Sequence, residues 1–242
     1  MRYRHDARPP DGTRLYAIGD MHGRLDLLAE LEDKIRIDAE NSGAANRIAV
    51  FLGDYIDRGP ESRELVDYLM RRPFNGFEHV FLIGNHEDEM MRFLDGSQEP
   101  ANWFANGGVQ TLESYGIAAH GFPSPDEAED WRRQLRRALP PDHLSFYSDL
   151  KYSFECGNYL FVHAGVRPGV PIELQDRHDL IWIREAFLGS DQDFGRFVVH
   201  GHSIERTPQI KSNRICVDTG AYRSDHLTCA VLDQDEVWFL QT

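Results

Sequence analysis

Ile48-Ala49-Val50-Phe51-Leu52-Gly53-Asp54-Tyr55-Ile56-Asp57-Arg58-Gly59 is the stretch on which the fold turns. Its first five residues form an apolar run of strand length, and Gly53 ends it. The segment after that run is no ordinary turn, because two carboxylates and an arginine fall within the six residues Gly53 to Arg58. A buried strand that ends in a charged cluster suits an open α/β sheet, which places its ligands beyond the carboxyl ends of its strands.

Four more runs end the same way. Leu15 to Ile18 leads into Gly19-Asp20-Met21-His22-Gly23, and Val80 to Ile83 leads into Gly84-Asn85-His86-Glu87. Tyr159 to Val162 leads into His163-Ala164-Gly165, and Phe197 to Val199 into His200-Gly201-His202. Between the first three runs, apolar residues recur at helical spacing: Leu25, Leu28, Leu31 and Ile35, then Leu65, Val66, Leu69 and Met70. Strand, helix, strand, helix, strand implies right-handed βαβ units.

The rest of the chain reads differently. Residues 95–148 are rich in Pro, Gly and charge, with one amphipathic helix expected over Asp126 to Ala138. Too few apolar residues fall there for a separate core, so the region reads as a helical insertion beside the site. Asn106-Gly107-Gly108, inside it, reads first as a glycine-containing turn, with a part in shaping substrate access as the alternative. The tail alternates apolar and polar residues at Ile215 to Asp218, Leu227 to Leu232 and Val237 to Leu240, which suggests antiparallel strands adding a second sheet. Residues 1–12 are polar and are expected to be a flexible extension, leaving 13–242 as a single domain.

Composition narrows the function. The 242 residues carry 26 Lys+Arg against 40 Asp+Glu, a formal charge of −14. That balance argues against a nucleic-acid partner or an anionic membrane surface. Three cysteines without a C-x-x-C pair suggest buried thiols in a reducing compartment. With no signal-peptide pattern and no apolar run of spanning length, a cytoplasmic protein is expected.

If the five turns converge, they gather Asp20, His22, Asp54, Asn85, His163 and His202. This oxygen and nitrogen donor set, without thiolate, suits Mn²⁺, Fe or Zn²⁺. Six donors suffice for two ions if one carboxylate bridges, and Asp54, on the middle of three consecutive strands, is the natural bridge. Two ions about 3.5–4 Å apart form a clamp for in-line displacement at phosphorus. A lone Gly-Asp after a strand is ordinarily a turn; five such clusters in order are not explained that way.

Asp20-x-His22-Gly23, Gly53-Asp54-x-x-Asp57-Arg58-Gly59, Gly84-Asn85-His86-Glu87, His163-Ala164-Gly165 and Gly201-His202 together resemble the ordered signature of the phosphoprotein phosphatase (PPP) family of calcineurin-like metallophosphoesterases. The match runs from Ile18 to about Gly220. The resemblance implies an α+β fold, a central two-sheet β-sandwich flanked by helices in four αββα layers. It implies one ion among Asp20, His22 and Asp54, and a second among Asp54, Asn85, His163 and His202, with Mn²⁺ the first expectation. Arg58 would grip the phosphate, and His86 paired with Asp57 would protonate the leaving group as a metal-bound hydroxide attacks. Arg184, in Leu180-Ile181-Trp182-Ile183-Arg184, resembles a further phosphate-contacting arginine of bacterial members. His200 is expected to orient a ligand rather than ligate; His5, His79, His120, His143, His178 and His226 fit no motif and read as surface or structural.

Within the resemblance, Ile83 stands where eukaryotic protein phosphatases carry arginine, which points to the compact bacterial branch. Symmetrical diadenosine tetraphosphatases share most of the ligands but usually lack the second aspartate and read G-N-H-D. Asp57 and Glu87 therefore direct the expectation to a Ser/Thr phosphatase-like phosphomonoesterase acting on a phosphoprotein or small phosphoester. Dinucleoside tetraphosphate hydrolysis is the alternative. A non-catalytic phosphate-binding module is disfavoured, since all six donors are present, and a nuclease lacks its second histidine after Gly201-His202.

Overall fold

The computed structural model describes residues 2–97 and 100–242. In chain order the elements are β1 (Tyr3–Arg4), β2 (Thr13–Ile18), α1 (Leu25–Glu40), β3 (Asn46–Phe51), α2 (Ser62–Met70), β4 (Glu78–Phe81), α3 (Asn85–Asp95), α4 (Pro100–Ala105) and α5 (Gly108–Ser114). Next come α6 (Pro125–Ala138), α7 (Pro141–Ser148), β5 (Ser153–Cys156), β6 (Tyr159–Val162), α8 (Arg177–Trp182), α9 (Glu185–Leu188) and β7 (Phe197–His200). The chain ends with β8 (Gln209–Ile210), β9 (Arg214–Cys216), α10 (Ala221–Ser224), β10 (Thr228–Asp233) and β11 (Glu236–Gln241).

Among the described residues, the strands form two mixed sheets in the orders β1-β11-β10-β2-β3-β4 and β5-β6-β7-β9-β8. Strands β2, β3 and β4 are parallel, as are β6, β7 and β9. The two-residue period of a strand sends successive side chains to opposite faces. Leu15 and Ala17 of β2, Ile48 and Val50 of β3, and Tyr159 and Phe161 of β6 meet in the core between the sheets. Their neighbours Tyr16, Ile18, Ala49, Phe51, Leu160 and Val162 face the helical layers instead. A strand buried on both faces must read as an unbroken apolar run, which is why β2, β3 and β6 are legible in the sequence. The architecture is the expected α+β sandwich with flanking helices.

The tail departs from expectation. Its strands are real, but they do not make a second sheet of their own. Strand β10 joins the first sheet antiparallel to β2 and β11 pairs antiparallel with β10, whereas β9 lies parallel to β7 in the second. Period-2 alternation marks a half-buried strand but carries nothing about which strand it pairs with. The polar N-terminal stretch, too, holds a short strand: Tyr3 and Arg4 pair with Val237 and Glu236 of β11.

Residues 95–148 contain α4 through α7, more helix than the sequence suggested. Helix α6 has local reasons to form. The Ser124 hydroxyl accepts the Glu127 amide, the Glu127 carboxylate accepts the Ser124 amide, Pro125 fills the first turn, and Arg136 and Arg137 sit in the last. Its buried residues Ala128, Trp131 and Leu135 join the same apolar cluster as Trp103, Leu112 and Tyr115. The short helices α4 and α5 form around that shared cluster, so no local periodicity announces them.

Candidate metal centre

The turns after β2, β3, β4, β6 and β7 meet at the same end of the two sheets, and Asp54 lies at their centre. Its Oδ1 is 3.4 Å from Nε2 of His163, while its Oδ2 is 3.5 Å from Nε2 of His22 and 3.8 Å from Nε2 of His86. Two compact donor groups result, His22–Asp54–His86 and Asp54–His163–His202, sharing the one carboxylate. All of these side chains are buried. Asn85, the first residue of α3, presents Oδ1 to Nε2 of His163 at 3.0 Å. The loops approach so closely that a Cβ on Gly84 would collide with the Asp54 carboxylate.

Backbone carbonyls fix the rings. His22 directs Nδ1 to the Ile56 carbonyl at 2.8 Å, and His163 directs Nδ1 to the Leu52 carbonyl at 2.8 Å. A proton on each Nδ1 would leave Nε2, the nitrogen facing Asp54, to ligate an ion, which is the arrangement metal-binding histidines adopt. His202 is held differently: its backbone amide donates to Oδ2 of Asp20 at 3.0 Å, and its Nε2 is buried with no partner. Oδ1 of Asp20 is likewise buried and unpartnered. Orphaned buried polar atoms are costly, and bound cations remove the cost. The site therefore fits the divalent ions its donor chemistry suggests. Asp20 itself stands outside both compact groups, its Oδ2 taken by the His202 backbone amide.

Protonation sorts the histidines. Burial first, then the neighbouring His86, lowers the pKa of His22 well below its ordinary value, and burial and His163 lower His202 to about 2. Both stay neutral and able to ligate. His86 goes the other way: burial opposes the shift, but the carboxylates of Asp54 and Asp57 outweigh it and raise the pKa. It holds its proton more tightly than an ordinary histidine, which suits a donor's role. For His163 burial is again outweighed, here by Asp54 and Asp20, which lift it to about 10. Burial alone would raise Asp54; the surrounding imidazoles, His163 first, hold it well below the usual carboxylate range. In an ion-free site His163 thus carries the positive charge that Asp54 and Asp20 demand.

Nδ1 of His86 meets Oδ2 of Asp57 at 2.7 Å. Asp57 is fully buried and is itself held by the Trp103 indole N–H at 2.9 Å and by the Thr111 hydroxyl at 2.5 Å. Both of those residues come from the inserted region. Arg58 reaches Nε2 of His22 with Nη1 at 2.9 Å, and its backbone amide donates to the Gly107 carbonyl at 3.2 Å. Gly107 has φ +105°, and a Cβ there would stand 2.8 Å from Cγ and N of Arg58. Gly107, in a stretch that reads as a plain turn, is the glycine on which Arg58 rests. His22, Asp54, Asp57, Arg58 and His202 all adopt positive φ. Non-glycine residues are seldom held there unless the surrounding structure enforces it, and they cluster at functional sites.

Arg184 lies at the edge of the cluster. Its charge helps depress the pKa of His202, and its side chain is exposed. His200 is buried beside the centre but belongs to neither donor group; its Nδ1 faces the Gly201 carbonyl at 3.0 Å. Glu87, a marker of substrate class on sequence grounds, is taken up by the backbone. Its Oε2 accepts the amides of Asp54 and Gly84, each at 2.9 Å, and its Oε1 those of Tyr55 at 2.8 Å and Ile56 at 3.3 Å.

Further residues escape the sequence reading. Asp218, buried at the end of β9, raises the pKa of Asp20, second only to burial. A signal exists, since Cys216-Val217 runs into Asp218-Thr219-Gly220 just as the other strands run into their turns. Tyr222 carries no such signal; its ring lies 4.7 Å beneath the Arg58 guanidinium and edge-on to His22 at 5.3 Å. Trp182 stands edge-on to His202 at 6.0 Å.

This geometry agrees with comparison to known proteins. The sequence profile of the calcineurin-like phosphoesterases matches residues 13–206, most of the chain. The chain belongs to that family. It is a metal-dependent phosphoesterase by membership and by its donor set. It is 22% identical over 231 residues to bis(5'-nucleosyl)-tetraphosphatase PrpE (asymmetrical) of Oceanobacillus iheyensis, covering 87% of this chain and 85% of that one. It is 27% identical over 153 residues to the symmetrical bis(5'-nucleosyl)-tetraphosphatase of Actinobacillus succinogenes, covering 63% of this chain and 44% of the other. Among solved structures, one provisionally assigned as a diadenosine tetraphosphatase shares the fold with a TM-score of 0.60 at 20% identity, over 99% of this chain and 98% of that one. A cold-active protein tyrosine phosphatase shares it at 0.57 and 14% identity, over 97% and 81%. Among the described residues, no helix is long and apolar enough to cross a membrane.

Proposed function

We propose that this phosphoesterase uses two divalent ions, Mn²⁺ foremost, to hydrolyse phosphoanhydride or phosphoester bonds of nucleotides, with dinucleoside tetraphosphates ahead of phosphoproteins as substrate. The observation that carries the two-ion reading is Asp54, whose two carboxylate oxygens face separate histidine groups. Asp20, His22 and Asp54 would hold one ion; Asp54, Asn85, His163 and His202 would hold the other. When bound, the ions supply an activated water and neutralise charge on the phosphoryl oxygens.

The chain's own residues do the rest. Arg58, held between Gly107 and Tyr222, offers a planar pair of donors that matches phosphate geometry. Arg184 adds positive charge at the open edge. His86 gives the proton on Nε2 to the departing oxygen, while Asp57 fixes its Nδ1 and balances the charge.

Substrate choice needs a separate argument. The phosphoprotein expectation leans on Asp57 and Glu87, yet Asp57 serves any leaving group and Glu87 braces loop amides. Relatives matched over 231 residues are named bis(5'-nucleosyl)-tetraphosphatases, which favours the dinucleotide. The test is a rate comparison on diadenosine tetraphosphate and a phosphoserine peptide, before and after chelation and with Mn²⁺ returned. Turnover that survives chelation would sink the metal reading; a peptide preferred by orders of magnitude would restore the phosphoprotein.

A further inference from the structure

Beside the metal centre, helices α3, α4 and α8 wall a cleft of about 560 Å³. That volume falls within the range of small-molecule sites. Two of its walls adjoin the residues that would handle phosphate. Trp182 faces His202 edge-on at 6.0 Å on one side and lines the cleft on the other. Asn106 lines the opposite wall and immediately precedes Gly107, whose carbonyl holds the Arg58 amide.

The lining is wrong for more phosphate. Asp88 and Glu89 are both acidic, and Arg92 is already paired with Asp88 at 2.8 Å. It is right for a flat, uncharged heterocycle. Trp182 and His178 lie nearly parallel, at 6.1 Å and 19°, so the cleft holds two aromatic rings in like orientation. Around them stand amides that both donate and accept, Asn102 and Asn106, with Asn106 Nδ2 oriented by Oε2 of Glu89 at 2.9 Å. Asn pairs with the amine and ring-nitrogen edge of adenine, and carboxylates accept from exocyclic amines. An aromatic face adds stacking that is indifferent to charge.

We infer that this cleft is a nucleobase subsite, taking an amine-bearing base of a nucleoside polyphosphate whose phosphates lie at the metal centre. The inference rests on the nucleotide reading above and gives it a place in the fold. His178, which fits no motif, thereby gains a role.

Calorimetric binding to the Mn²⁺-loaded protein tests it without requiring turnover. Adenosine 5'-monophosphate should bind about tenfold or more tighter than ribose 5-phosphate, the contribution expected of one stacked base. His178→Ala and Asn102→Ala, both at exposed positions, should shrink that ratio, and Trp182→Phe should keep more of it than Trp182→Ala. In kinetics, the same variants should lower kcat/KM for diadenosine tetraphosphate relative to an aryl phosphate. Equal affinity for the two monophosphates, or a ratio unmoved by all of the variants, overturns the subsite. A preserved base preference in a protein that hydrolyses no nucleotide supports the subsite and refutes the functional reading instead.

Discussion

Thr111 donates its hydroxyl to Oδ1 of Asp57 at 2.5 Å, and Oδ2 of the same carboxylate holds Nδ1 of His86 at 2.7 Å. A side chain from the insertion thereby sets the angle of the proposed proton donor. Its removal should disturb the reaction more than binding. Thr111→Val keeps the volume and loses the donor, and we expect kcat to fall about tenfold with KM little changed, a fraction of the 10²–10⁴ that general acid catalysis supplies. Combined with His86→Asn, the loss should be no greater than in His86→Asn alone, because the two act through one proton. Additive losses would show that Thr111 acts elsewhere.

His86→Asn should discriminate between leaving groups. A serine alkoxide departs poorly without a proton, whereas a phenolate or a nucleotide phosphate departs readily. We expect about 10²-fold or more loss on a phosphoserine peptide and a smaller loss on an aryl phosphate or diadenosine tetraphosphate. The same factor on all three would argue that His86 ligates an ion, a role its place beside His22 and Asp54 makes geometrically available.

Glu87→Gln should weaken the fold and leave substrate preference alone. Four backbone amides converge on the carboxylate, two on each oxygen. Burial and the charge of Asp54 lift its pKa to about 7, against which those amides work. A glutamine would point an amide at two of them, costing about 2–4 kcal/mol for the donors left unmade. In a chain of this size that lowers the melting temperature by about 5–15 °C. The ratio of dinucleotide to phosphopeptide rates should hold constant; a shift in that ratio would return Glu87 to substrate choice.

These residues show how far the sequence can be read. The motif residues on turns after fully buried strands are visible because burial on both faces writes an unbroken apolar run, and Gly-Asp or Asn-His then interrupts it. Asp218 obeys the same rule but is hidden by the alternation of its strand, which reads as part of a separate tail sheet. Thr111, Trp103 and Gly107 are out of reach for a different reason. Their roles come from contacts with Asp57 and Arg58 some 45 to 55 positions earlier, and nothing in their own neighbours marks them. Tyr222 and Trp182 are likewise defined by what they face.

An ion that binds this centre should release protons. Burial opposes a charge on His163, but Asp54 and Asp20 outweigh it and raise the pKa to about 10. A ligating imidazole must be neutral, so an ion entering this site displaces that proton at any pH below about 10. His22 and His202 are already neutral near pH 7 and contribute none. Raising the pH deprotonates the competitor, so apparent affinity for Mn²⁺ should climb about tenfold per pH unit between 6.5 and 8.5 for one proton released, and level off only above about 10. Calorimetry in buffers of different ionisation enthalpy measures the number directly. Release of at least one proton is expected from the native protein and one fewer from His163→Asn; affinity that is flat with pH would mean that His163 holds no proton for the ion to displace.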